Sequence, residues 1–290
     1  MRLASYVWRG REHVGIQVGD QLYSLSIHDP ELRDVRQLLE QGEEALARVR
    51  HLEAALRAGE HPLPEEAIAP LEGVRLLPPI RRPEKIICLG LNYRDHAREA
   101  GMPIPQEPIF FAKYANALAG PRDPIRRPSR VEQLDYEVEL AVVVGREGKE
   151  IPESGALEYV AGYMVFNDVS ARDFQFRTGQ WTHGKTFDGF APCGPVLVTR
   201  DEVRDPHALR MRLWVNGELR QDSHTGEMIF SVPYLVQYFS QLFTLRPGDI
   251  IATGTPPGVG MARRPPAYLK EGDEIVAWIE GLGELRNRVV

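Results

Sequence analysis

Two cysteines in 290 residues, Cys88 and Cys193, are too few for a disulfide framework, and neither has a metal-type partner nearby. Both read as small buried hydrophobes of a protein kept in a reducing cytoplasm. Long apolar runs are also missing, since nothing approaches the ~20 residues needed to span a bilayer. The opening stretch Met1–Trp8 is short and meets Arg9 and Arg11 at once, so no signal peptide is expected. Nor is there a basic excess: 35 Lys and Arg against 41 Asp and Glu leave a net charge of -6, which argues against a nucleic-acid surface. No internal repeat or low-complexity tract occurs. What remains has the composition of a globular domain, 43% hydrophobic and 26% charged, and is long enough for a large unit plus a small one.

Residues 1 to about 25 alternate polar and apolar around Gly10 and Gly19-Asp20, as a small antiparallel sheet does. Arg33 to Ala58 carries apolar residues at helical spacing, broken by Gly42 into two short helices. Pro62, Pro64 and Pro70 punctuate a connector, which divides the chain into a small N-terminal α/β domain, 1–72, and a larger unit, 73–290. The larger unit shows short apolar runs separated by Gly and Pro. Strands are expected at Lys85–Leu89, Glu137–Val144, Tyr163–Phe166, Pro195–Val198 and Arg212–Val215, with Asn216-Gly217 as a two-residue hairpin turn. A helix is expected over Val232–Phe243, then strands at Ile250–Thr253, Glu274–Ile279 and Glu284–Val290. With few helices between strands, a regular βαβ series is excluded and a strand-dominated α+β fold is expected.

Three acids stand out within that pattern. Glu137 and Glu139 sit two apart in a strand, so they share a face at roughly 7 Å spacing, and Asp168 closes the run Phe166-Asn167-Asp168. Carboxylates held so close repel unless something positive lies between them. An all-oxygen site suits Mg²⁺, Mn²⁺ or Ca²⁺. The bland alternative, acids on a wet strand face, is opposed by the apolar run Leu140–Val144 that follows.

His96 and Glu99, three apart after the Leu89 strand, meet on one face if the segment is helical. A carboxylate on one imidazole nitrogen leaves the other free to take a proton. The stretch 101–105 after them reads as a loop suited to closing over a site. Gly179 to Thr186 matches the phosphate-loop pattern letter for letter, yet the required strand before it and helix after it are absent from the sequence, and the nucleotide reading is rejected. Lys185 in that loop could instead face a developing oxyanion. The Gly/Pro loop Thr253–Gly260, with Gly254 and Thr255, could seat a substrate carboxylate, as could Arg172 and Gln175. The other histidines (28, 51, 61, 183, 207 and 224) have no ligand spacing.

Taken together, Gly90-x-Asn92-Tyr93-x-x-His96-x-x-Glu99, Asp135-Tyr-Glu137-x-Glu139-Leu, Asn167-Asp168-Val-Ser-Ala-Arg-Asp173, Gly184-Lys185-Thr-Phe-Asp188 and Thr253-Gly254-Thr255-Pro256 resemble the fumarylacetoacetate hydrolase family. The similarity runs from about residue 84 to the C-terminus and looks most like the domain-containing branch and its 2-hydroxyhepta-2,4-diene-1,7-dioate isomerase-like members. It implies a mixed β-roll or β-sandwich catalytic core, a homodimer, and Mg²⁺ or Mn²⁺ on Glu137, Glu139 and Asp168. It further implies His96 and Glu99 as a water-activating dyad, Lys185 as oxyanion partner and Thr255 as a carboxylate contact. True fumarylacetoacetases carry another acid ahead of the histidine, where this chain has Leu89-Gly90-Leu91, so fumarylacetoacetate itself is not the expected substrate. The expected substrate is a small 2-oxo or β-dicarbonyl acid met during the breakdown of aromatic compounds, and the expected step passes through a stabilised enolate. Hydrolysis of a C–C bond in an acylpyruvate-like compound leads. Isomerisation or tautomerisation of hydroxymuconate-type diacids or oxaloacetate, or decarboxylation, follows closely. A catalytically silent metabolite-binding protein is the non-enzymatic alternative.

Overall fold

The computed structural model describes residues 1–27, 29–60 and 63–290. His28, His61 and Pro62 lie outside the described residues. Among the rest, a twelve-strand sheet dominates. Its path runs Ile68–Pro70, Gln21–Ser24, Arg11–Val18, Arg2–Trp8, Ala191–Thr199, Val160–Asn167, Val138–Val144, Ile250–Ala252, Ile86–Gly90 and Ile109–Lys113. Neighbours on this path are antiparallel except Ile250–Ala252 beside Ile86–Gly90, which run parallel. A second, four-stranded sheet is ordered Glu218–His224, Arg210–Val215, Glu274–Ile279 and Gly283–Arg288. The fold is therefore strand-dominated and mixed, as the short apolar runs require.

The strand Val138–Val144 is buried at every position, because it is covered on both faces. Leu140, Val142 and Val144 pack with Leu213, Ala277 and the helix residues Leu235, Val236 and Phe239. The alternate residues Ala141 and Val143 face the other way, into a layer with Val35, Leu38, Leu39 and Val49. Those four come from the helices Val35–Glu40 and Glu43–Arg57, which break at Gly42 in the left-handed region (φ 80°). Asp34 caps the first of them reciprocally with Gln37. Asn216 and Gly217 both have positive φ (51° and 77°), the mirror-image turn that matches strand twist.

Two regions differ from the sequence expectation. Ser170 to Thr178, expected to be irregular, contains the short helix Arg172–Gln175. Residues 1–24 are not a free-standing sheet: Leu3 pairs with Leu197, which joins the N-terminal strands to the edge of Ala191–Thr199. The phosphate-loop match lacks its context here too. A single turn, Thr182–Lys185, follows another short helix, and the chain then enters the strand Ala191–Thr199.

Candidate active site

Strand register assembles the acids. Val138 pairs with Asn167 and Glu139 with Phe166, so Asp168, one residue past the strand end, comes opposite Glu137. The backbone secures that junction: Asp168 N–H donates to Glu137 O (2.9 Å), and Glu137 N–H donates to Asn167 Oδ1 (3.0 Å). One carboxylate oxygen from each of Glu137, Glu139 and Asp168 lies within 4.8 Å of the others, and all three residues are buried.

Cations enclose the trio. Lys185 Nζ is 2.8 Å from Glu137 Oε2 and 2.8 Å from Asp168 Oδ2. Arg172 spans Asp135 Oδ2 (2.9 Å) and Glu137 Oε1 (2.6 Å), and its Nη1 donates to Gln175 Oε1 (3.0 Å). Lys113, unsuspected from the sequence, is fully buried with Nζ 2.5 Å from Asp168 Oδ1, and it donates to Val169 O and Phe190 O. Asp168 Oδ1 and Arg172 Nη2 are thus held by ion pairs, to Lys113 and Glu137. Glu139 Oε1 is without a partner, while its Oε2 accepts from Gly254 N–H (3.0 Å).

Four carboxylates, counting Asp135, thus share three cations. Glu139 is the acid with no cation of its own. Burial, then the charges of Asp168 and Glu137, push its carboxyl well above the usual range. For Glu137 burial acts upward too, but Arg172 and Lys185 outweigh it and bring the group down to about 2. A compact all-oxygen donor set, the buried Glu139 Oε1 without a hydrogen-bond donor and one acid with no cation of its own fit a divalent cation.

The helix Arg94–Ala100 carries the second cluster. His96 Nδ1 lies 3.1 Å from Glu99 Oε2, the pairing expected from the three-residue spacing. Both Glu99 oxygens also accept from Gly258 N–H (3.1 and 3.2 Å). Burial raises the Glu99 carboxyl, but the His96 and Gly258 hydrogen bonds prevail and hold it below the ordinary value. The helix is moored by Arg94 Nη1 to Met228 O (2.6 Å) and by Ser223 Oγ to Asp95 Oδ2 (2.5 Å).

Several expected contacts take a different form. Arg172 and Gln175 are buried and bonded to each other and to the acid cluster. The Thr255 hydroxyl donates to Val138 O (3.0 Å) and accepts from Gln221 Nε2 (2.9 Å), which occupies it within the fold. Gly254, at φ 93°, turns its N–H onto Glu139, a conformation that favours glycine. Lys113 went unnoticed in the sequence, and Asp135, quoted there within the motif around Glu137, was given no role of its own. A cleft of about 1090 Å³ lined by Trp8, Arg9, His13 and Arg33 includes none of these residues. Chemistry, not size, marks the site.

A buried three-carboxylate cluster and a histidine–glutamate pair make up a candidate metal-type enzyme site. Residues 85–290 match the family model for the fumarylacetoacetate (FAA) hydrolase C-terminal domain, and the chain belongs to that family. It is 47% identical over 282 residues to the mitochondrial oxaloacetate tautomerase Fahd2a of Rattus norvegicus, covering 96% of this chain and 87% of the rat protein. Among solved structures, the fumarylacetoacetate hydrolase of Exiguobacterium antarcticum superposes with a TM-score of 0.84 at 36% identity, covering 100% of this chain and 99% of that one. Maleylpyruvate hydrolase from Sphingobium sp. SYK-6, solved with manganese(II) and pyruvate, gives 0.82 at 32% identity, covering 100% and 99%. The chain is thus an enzyme of the hydrolase and isomerase family, and the acid trio together with that manganese complex supports binding of a divalent metal. The expectation of a cytoplasmic protein is corrected: the rat relative and its bovine and human counterparts are mitochondrial, which points away from the cytoplasm.

Proposed function

We propose that the chain is a divalent-metal-dependent tautomerase of 2-oxo diacids, with oxaloacetate the first substrate to try. The observation that carries this reading is the buried trio Glu137, Glu139 and Asp168, in which Glu139 has no cation of its own. These residues would hold Mg²⁺ or Mn²⁺, and a bound ion would supply Lewis-acid polarisation of a 2-oxo acid.

Keto–enol exchange moves one proton between the carbon beside the carbonyl and the carbonyl oxygen. No water, oxidant or second substrate is consumed. In this reading His96, oriented by Glu99, takes and returns the carbon proton. Lys185 supplies the ammonium that meets the carbonyl oxygen. Arg172, itself held by Gln175, positions Glu137, and the Gly254 N–H positions Glu139.

The curated relatives favour tautomerisation over C–C hydrolysis. Relatives at 46 to 48% identity over nearly the whole chain bear the tautomerase name. Hydrolysis of acylpyruvates remains the second reading, supported by the maleylpyruvate hydrolase likeness.

Decay of the enol absorbance of oxaloacetate, followed with Mg²⁺, with Mn²⁺ and with EDTA, tests the proposal. Acceleration over buffer should require the metal and be lost in Asp168→Asn. Equal turnover in EDTA would remove the metal reading. Turnover of acylpyruvates alone would reinstate hydrolysis. We also read the chain as a homodimer: the terminal strand Ile109–Lys113 leaves Ile109 and Phe110 about 40% exposed at an open sheet edge. Light scattering on the eluting protein checks the mass.

A further inference from the structure

We propose that the backbone N–H of Gly258 is a latch that docks the His96–Glu99 helix against the Thr253–Gly260 loop, and that Tyr136 is the positioning residue that sets it. The inference rests on the reading of His96 and Glu99 as the proton-handling pair. Gly258 N–H donates to both oxygens of Glu99 at 3.1 and 3.2 Å, while Tyr136 Oη donates to Gly258 O at 3.0 Å. Residue 258 is therefore gripped from two sides, by the helix and by a residue lying between Asp135 and Glu137 in the chain. Burial pushes the Tyr136 phenol up to about 12, so it stays a neutral donor at physiological pH.

The local backbone permits nothing else at this position. Gly258 has φ 104°, and a Cβ there would stand 2.0 Å from Arg220 O. Immediately beyond it, Gly260 N–H and Met261 N–H donate to the two oxygens of Asp135 (2.7 and 3.0 Å). Asp135 in turn holds Arg172, whose other nitrogen faces Glu137. One short loop thus bonds to the proton-handling helix at one end and to the acid cluster at the other. A ligand that shifts the loop alters the grip on Glu99, and with it the orientation of His96. The other side-chain ties of the helix, Arg94 to Gly226 O and Met228 O, Asp95 to Ser223 and Arg98 to Glu227, run to the segment 223–228 and do not touch the acids.

Hydrogen exchange of the Arg94–Ala100 amides, measured on the full chain without substrate, reads the latch directly and needs no activity. Glu99→Ala should speed exchange by about tenfold or more, the loss expected for a hydrogen bond to a charged group. Glu99→Gln keeps an acceptor for Gly258 and should lie with the wild type rather than with the alanine variant. Tyr136→Phe should speed exchange by about threefold with the same melting behaviour of the rest of the chain. In kinetics, Glu99→Gln should lower kcat at an unchanged KM, whereas Glu99→Ala should also raise KM. Equal protection in wild type and Glu99→Ala overturns the latch. Glutamine behaving as alanine does overturns the backbone bond as its basis, and an unaltered Tyr136→Phe removes Tyr136 from the assignment. Loss of the tautomerase reading alone would leave the exchange results standing, so the two failures are distinguishable.

Discussion

Lys185 stands between Glu137 and Asp168, 2.8 Å from an oxygen of each, and is the only residue that ionically bridges two members of the acid trio among the described residues. Burial lowers its affinity for a proton, but Asp168 and Glu137 more than reverse this and keep the ammonium charged. Removing it as Lys185→Met leaves two buried carboxylates without their shared counter-charge, which costs about 3–5 kcal/mol when nothing replaces it. A divalent cation is such a replacement. Thermal melts should therefore show a large loss in EDTA and a distinctly smaller one with saturating Mn²⁺. The same loss in both would deny that the ion and the ammonium serve the same acids.

Glu139 makes metal uptake proton-linked. Its carboxyl is held above the usual range by burial and by its acidic neighbours, so the metal-free protein retains a proton there that a cation must displace. Calorimetric titration in buffers of different ionisation enthalpy should register net proton release on metal binding, and affinity should rise with pH. For stability the sign is opposite in the absence of metal. The folded state binds a proton that the unfolded chain has released, so this contribution falls as pH rises above the ordinary glutamate value of about 4.3. Glu139→Gln should abolish proton release. Undiminished release in that variant would assign the proton elsewhere.

Glu137 gives the reverse slope. Its folded value of about 2 lies below the unfolded one, so its contribution is complete above roughly pH 4.5 and is lost as pH falls towards 2. Acid denaturation midpoints of wild type and Glu137→Gln should differ in slope through that window and converge below it. Parallel curves would show that Arg172 and Lys185 do not stabilise the ionised form.

His96 is hydrogen-bonded to Glu99 on its own helix, Arg94–Ala100, and makes no hydrogen bond to the acid trio. His96→Gln should leave Mn²⁺ affinity within a factor of about two while slowing proton transfer by about 10² or more. Electron paramagnetic resonance of bound Mn²⁺ supplies the first measurement and enol decay the second. An affinity loss as large as the rate loss would place the imidazole on the ion.

How far the site could be read in advance follows from range in sequence. Glu137 and Glu139 were legible because strand periodicity is local. Asp168 joined them because the apolar run before it fixes one strand of a pair that a single register completes. The His96–Glu99 contact was legible for the same reason, at helical spacing. Lys113 was not: its signal is burial, which arises only when the last strand of the sheet brings it to Asp168, 55 residues on. Arg172 and Gln175 were singled out for a substrate carboxylate; in the structure Arg172 reaches Asp135 and Glu137 while Gln175 accepts from Arg172, and spacing alone does not tell a protein carboxylate from a substrate one. Glu137 itself precedes its strand, which begins at Val138, so the same-face argument identified the right pair through an idealised geometry.

The N-terminal strands pose the corresponding question for the fold. Leu3 is fully buried and pairs across to Leu197, and Met1, Leu3 and Leu197 share a layer with Val143 and Ile250 behind the acid-bearing strand. A hydrophobic side chain in such a layer costs about 2–5 kcal/mol when cut to alanine. If residues 1–72 fold as part of that layer, Leu3→Ala should lower one cooperative denaturation transition by this amount, monitored at once by far-ultraviolet dichroism and tryptophan fluorescence. An autonomous small domain would instead give two transitions, with only the weaker one moved. Deleting residues 1–72 sharpens the contrast, since it bares the edge of Ala191–Thr199 and the apolar layer beneath it. The joined-sheet arrangement predicts aggregation of the truncated chain; a soluble, metal-binding 73–290 fragment would establish the N-terminal unit as separable.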